Sequence, residues 1–153
     1  VKGSFKNILK NNYIKPILDK GCHVVLATSV VANAFDETGE LYQMNYYYHA
    51  QAMRDLAKEC QKEDMEVTLI DTYALTDALY CQIGQEQAGK LHSDTVHYNA
   101  YGAAYAAGLI AQQMHEAGLA CCRNIRTFDE VVEETEGLRE LEEKEGITLR
   151  TRE

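Results

Sequence analysis

The chain is poor in the features that mark several protein classes. It holds one proline, Pro16, and ten glycines among 153 residues, which argues against a linker-rich or collagen-like chain. No apolar run reaches the roughly 18 residues that a membrane-spanning helix needs, so no membrane partner is expected. Positive charge is scarce as well: 15 Lys and Arg stand against 24 Asp and Glu, a net charge of −9. Nucleic-acid affinity rests on clustered Lys and Arg that neutralise phosphates, so no nucleic-acid partner is expected either. The opening Val1-Lys2-Gly3-Ser4 has no charged lead with an apolar stretch behind it, and no signal peptide is read there. The five cysteines (Cys22, Cys60, Cys81, Cys121 and Cys122) are odd in number and lack CxxC or other zinc-like spacing. They do not read as a disulfide framework, and unpaired thiols lean towards the cytoplasm. Cys22 and Cys60 sit in apolar stretches, where a thiol is usually a small buried hydrophobe. The adjacent Cys121 and Cys122 leave a redox or metal-binding role open.

What is present is globular. Hydrophobic residues make up 46 % of the chain, which excludes wholesale disorder, and the length suits one ordinary domain. The acidity is uneven. From Thr127 to Glu153 there are ten acids and four bases, net −6, against net −3 for residues 1–126. The C-terminal stretch 121–153 therefore reads as an acidic helical extension, set apart from residues 1–120.

Residues 4–20 read as helical, with Phe5, Ile8 and Leu9 on one face and a kink expected at Pro16. Gly21 is a helix stop. The nearly continuous apolar, β-branched run His23 to Val30 reads as a strand buried on both faces. Asp36-Glu37-Thr38-Gly39 is a turn. A helix is expected from about Asn45 to Glu63, with Tyr46, Ala50, Met53, Leu56, Ala57 and Cys60 as its buried stripe. Tyr46, Tyr47 and Tyr48 point three ways, so not all three rings can be core. Glu66 to Asp71 reads as a second strand, and a less regular helix covers Ala74 to about Tyr80. Asn99 is an N-cap for a helix to about Ala117 that Gly118 ends. Thr127 with Glu130 fits a capping box for a last helix.

Helix, strand, helix, strand in that order is the α/β pattern, with parallel strands joined by a crossover helix. An α/β domain of this length normally has four or five strands, and two are legible. A two-stranded parallel sheet leaves faces uncovered and an edge that seeks a partner, so self-association through that edge is an expectation.

The segment that carries chemistry is Asp94-Thr95-Val96-His97, followed by Asn99 and Gly102-Ala103. An Asp three residues before a His, in a loop leading to a helix, can set a carboxylate against one ring nitrogen. The other nitrogen is then free as a general base. Asp-x-x-His alone is common, and a satisfied structural pair is the competing reading. His92 with Asp94 and His97 also makes a metal site conceivable, although zinc needs three or four ligands in fixed geometry.

From Phe5 to about Gly118 the chain resembles the C-terminal part of the SGNH (GDSL-type) hydrolases, in particular their rhamnogalacturonan acetylesterase-like branch. The resemblance is carried in order by several segments. These are Asp19-Lys20-Gly21 and Val24 to Val30, Phe35-Asp36-Glu37-Thr38-Gly39, Tyr48, Met53-Arg54-Asp55-Leu56-Ala57, and Val67 to Asp71. Leu79 to Gly84 and then Asp94-Thr95-Val96-His97-Tyr98-Asn99 with Gly102-Ala103 complete it. The resemblance implies a three-layer α/β/α, flavodoxin-like fold with a five-stranded parallel sheet, of which this chain holds the last two strands. It implies that His97 is the general base and Asp94 its orienting partner in a Ser-His-Asp triad, with no cofactor. The substrate it implies is an acylated carbohydrate or other small ester. The family's Gly-Asp-Ser nucleophile block and its oxyanion Gly and Asn blocks are not found, and Gly3-Ser4 does not stand in for the first. The expectation is therefore part of a serine acetylesterase, inactive as this chain alone, with a degenerate non-catalytic binding or assembly module as the alternative. A leader would belong to the absent portion, which leaves the compartment open.

Overall fold

The computed structural model describes residues 4–42 and 46–150. Gly3 of the Gly3-Ser4 pair and the helix start expected at Asn45 lie outside the described residues. The first helical region begins at α1 (Phe5–Leu9), capped by the Ser4 side chain, and continues through a π turn (Lys10–Ile14) into α2 (Lys15–Leu18). The kink expected at Pro16 is replaced by that π turn. Pro16 has no N–H to offer and would crowd the carbonyl four residues back. Widening the preceding turn, with the Lys15 amide reaching the Lys10 carbonyl, relieves both problems.

β1 (Val24–Ala27) and β2 (Val67–Ile70) pair in parallel, Val24 opposite Val67 through Ala27 opposite Ile70. The crossover between them is α3 (Tyr46–Lys62). Its Leu56 and Cys60 pack with Ile14, Val24 and Leu26 in one buried cluster, joined by Met53, Val67 and Leu69. The other pleat of β1 is open: Val25 is 39 % exposed. The strand expected to reach Val30 ends at Ala27 because Thr28 turns towards the helix after β2. Its hydroxyl accepts the Tyr73 amide at 2.8 Å and donates to Asp71 Oδ1 at 3.1 Å. Val31 N then donates to Thr76 Oγ1, so the chain crosses the start of that helix instead of extending the sheet.

The helix so crossed, α4 (Thr72–Gly89), is longer than the sequence pattern indicated and is broken at Gly84, whose φ of 73° suits glycine. α5 (Ala100–Glu116) comes next, then a 3-10 turn (Ala120–Asn124), α6 (Phe128–Glu134) with the expected capping box, and α7 (Glu136–Glu145). A second cluster holds Val31, Ala50, Tyr73, Tyr80, Leu91 and Tyr101 together with Val132, Leu138 and Ile147. The acidic C-terminal segment thus contributes its apolar stripe to the same core as α4 and α5. Cys60 is buried as expected, whereas Cys22, one residue past the helix stop at Gly21, is exposed. Cys121 and Cys122 are both free, their sulfurs 3.8 Å apart.

Candidate active site

Between α4 and α5 the chain makes a tight hairpin. His92 and Tyr98 form an antiparallel bridge at its base. Ser93 N donates to the His97 carbonyl at 2.8 Å, and Asn99 N donates to the Leu91 carbonyl at 3.0 Å. The loop so closed carries Asp94 and His97. Asp94 Oδ1 accepts the amides of Val96 and His97, each at 2.8 Å, which is the usual way Asp closes a turn on itself. Its Oδ2 lies 2.8 Å from His97 Nδ1. The two amides, and after them the imidazole, hold the Asp94 carboxyl down at about 2. An ionised carboxylate there accepts Nδ1–H from the neutral ring and leaves Nε2 unprotonated, the form a general base needs. The His97 side chain is 76 % exposed and that of Asp94 56 %.

Asn99 and Gly102 explain why the motif continues past the histidine. Asn99 Oδ1 caps α5 through the Gly102 amide at 2.9 Å, while its Nδ2 donates to the Lys90 carbonyl at 2.7 Å. One side chain therefore joins the end of α4 to the start of α5. A Cβ at position 102 would fall on the Leu91 carbonyl oxygen, so no side chain fits this crossing.

The loop is also tied to the sheet. Asn33 N, in the segment leaving β1, donates to the Thr95 carbonyl at 2.8 Å. A recess of about 250 Å³ opens beside the pair, lined by residues 29–32, Tyr46, Val96 and His97. It sits past the carboxyl end of β1, where ligands of open α/β sheets bind. Tyr46 is thus beside the site, Tyr48 is 71 % exposed, and Tyr47 packs edge-on against Tyr73. Among the described residues no hydroxyl or thiol is hydrogen-bonded to the His97 ring.

Two other residues weighed from the sequence have structural partners. Asp71 caps α4 through the Ala74 amide and forms a two-point ion pair with Arg54, Nε to Oδ2 at 2.6 Å and Nη2 to Oδ1 at 3.0 Å. Burial pushes its carboxyl up, but Arg54, the Ala74 amide and Thr28 outweigh that and hold it below its ordinary range. No spacing rule joins Arg54 to Asp71, and sequence reasoning missed the pair. His92 does not join His97 as a metal ligand: its ring is buried against the Tyr80 hydroxyl. Among the described residues no three His, Cys, Asp or Glu side chains converge as a metal site would require. No helix among them is long and apolar enough to cross a membrane.

No family model matches the chain. It is 33 % identical, over 116 residues, to the rhamnogalacturonan acetylesterase RhgT of Bacillus subtilis (strain 168). That match takes in 66 % of this chain and 47 % of the relative. The fold superposes on the crystal structure of the protein YxiM from Bacillus subtilis with a TM-score of 0.63 at 28 % identity. The superposition covers 78 % of this chain and 33 % of that one. The chain spans about half the length of the curated relative and a third of the solved structure.

Proposed function

We propose, from the premise that this chain is a partial SGNH-type hydrolase, that Asp94 and His97 form the acid–base half of a Ser-His-Asp triad that removes acetyl or other short acyl groups from carbohydrate. The observation that carries the reading is the Asp94 carboxylate at 2.8 Å from His97 Nδ1 on an exposed loop beside a recess.

In this reading the serine nucleophile and the oxyanion donors come from a portion of the domain outside these 153 residues. His97 Nε2 takes the serine proton as Oγ attacks the acyl carbon, and the resulting imidazolium is stabilised by Asp94. The proton passes to the departing sugar oxygen, leaving an acyl-serine. Water then attacks that ester, His97 takes its proton and returns it to serine, and the carboxylic acid leaves. Residues 1–120 belong to the hydrolase domain in this scheme and 121–153 extend it.

A fluorophosphonate probe tests the scheme. A product extended upstream to include a nucleophile block is expected to label at one serine, and His97→Ala to slow labelling by at least about 10³-fold, as loss of a triad member does. The 153-residue chain is expected to remain unlabelled. A folded extended product that does not label sinks the esterase reading and leaves a non-catalytic module. Labelling of a serine within this chain, such as Ser29 in the recess, would relocate the nucleophile.

A further inference from the structure

The Asp94–His97 loop has an unusual base. Both residues that close it, His92 and Tyr98, are aromatic, and both meet the hydroxyl of Tyr80, a fully buried residue of α4. The Tyr80 hydroxyl is hydrogen-bonded to His92 Nε2 and donates to the Tyr98 hydroxyl at 3.3 Å. The His92 ring also lies against that of Tyr98, centroids 4.5 Å apart and tilted by 43°. Its other ring nitrogen, Nδ1, is buried and has no partner in hydrogen-bonding geometry, although the Asp94 and His97 backbone lies near enough to the imidazole to favour its charged form. Burial outweighs this and pushes the His92 imidazole down, which keeps it neutral.

An unpartnered buried polar atom is destabilising, and a phenylalanine at position 92 would fill the space without one. The bond from His92 to Tyr80 is therefore present despite a penalty that plain packing would avoid. We infer that His92 is a positioning residue: its bond to Tyr80 and its contact with Tyr98 hold the two ends of the 93–97 loop together and so fix the Asp94 carboxylate on His97 Nδ1. What the pair then does rests on the hydrolase reading; its geometry does not.

The test uses the folded 153-residue chain and imidazole ¹⁵N NMR, with amide hydrogen exchange read in parallel. In the unsubstituted chain, neutral His97 is expected to carry its proton mainly on Nδ1, the reverse of free imidazole side chains. Tyr80→Phe keeps every ring and removes the one hydroxyl. It is expected to shift His97 towards the Nε2–H form and to speed exchange of the Val96 and His97 amides at least about tenfold, with α3 amides unchanged. His92→Phe is expected to do the same. If His92→Phe does not fold, Tyr80→Phe decides the matter. A folded Tyr80→Phe chain with unaltered His97 tautomer and loop exchange overturns the inference. So does a uniform loss of protection across the chain, which would make the three rings ordinary core. Neither readout involves esterase activity, so a failure of the hydrolase reading is seen separately.

Discussion

The two buried clusters of this molecule are built from similar residues and end differently. The sheet cluster, around Leu56, Cys60, Val24 and Leu26, is covered on one face by α1, α2 and α3. Around it Phe5, Ile8, Ile17 and Val25 remain exposed, and among the described residues each of the two strands keeps an unpaired edge. The helical cluster, around Tyr80, Tyr101 and Val132, is closed by the C-terminal segment and even seals a carboxylate. Glu142 is 3 % exposed, accepts the Tyr101 hydroxyl at 2.8 Å and pairs with Arg150. The difference teaches that local completeness is not a property of the chain as a whole. The candidate loop stands on the closed side and faces the open one.

The largest expected effect breaks the closed side. Arg150→Ala removes the two-point guanidinium contact to the buried Glu142, and is expected to lower stability by up to about 3–5 kcal/mol in urea denaturation, as loss of one partner of a buried pair does. A loss below about 1 kcal/mol would show that the closure rests on Val132, Leu138 and Ile147 and not on the Glu142–Arg150 pair.

Next comes the junction between the regions. Gly102→Ala sets a methyl on the Leu91 carbonyl oxygen and is expected to cost about 1–3 kcal/mol as an overpacked site. Faster amide exchange at Ser93 and Asn99, whose bonds close the hairpin, should accompany it.

The smallest effects belong to the open side. Ile17→Lys, at a position already 39 % exposed, is expected to change stability by no more than about 0.5 kcal/mol. If the open edge recruits a second copy of this chain, sedimentation should instead show dimers that Val25→Lys disperses. A pH titration sharpens the contrast further. Asp94 is held at about 2 in the fold against about 3.9 when unfolded. Its stabilising contribution is therefore complete above about pH 4 and lost as pH falls towards 2. His92 is depressed below the usual 6.5, so its contribution is complete above that value and declines as pH falls beneath it. Acid exchange data should show the hairpin base loosening first and the Asp94 turn later.

Much of the fold was legible because it rests on local rules. The two strands, the crossover helix, the Asn99 cap and the Thr127 capping box all arise from spacing or from one side chain near its own backbone. Asp94 and His97 were legible for the same reason, being three residues apart on one turn. The end of β1 was not, because it depends on Thr28 meeting Tyr73 and Asp71, 45 and 43 residues away. The exposure of Cys22 was also hidden, since an apolar neighbourhood in sequence says nothing about which side of a turn faces solvent.

By itself, the sequence determined the α/β order and the pairing of a carboxylate with an imidazole. Those are matters of periodicity and of contacts within one turn. Tertiary structure alone decided that Glu142 is buried, that Arg54 meets Asp71 and that His92 goes inward to Tyr80 instead of outward to His97. Each of these is fixed by the desolvation of a polar group, and desolvation depends on what packs over a residue from elsewhere in the chain.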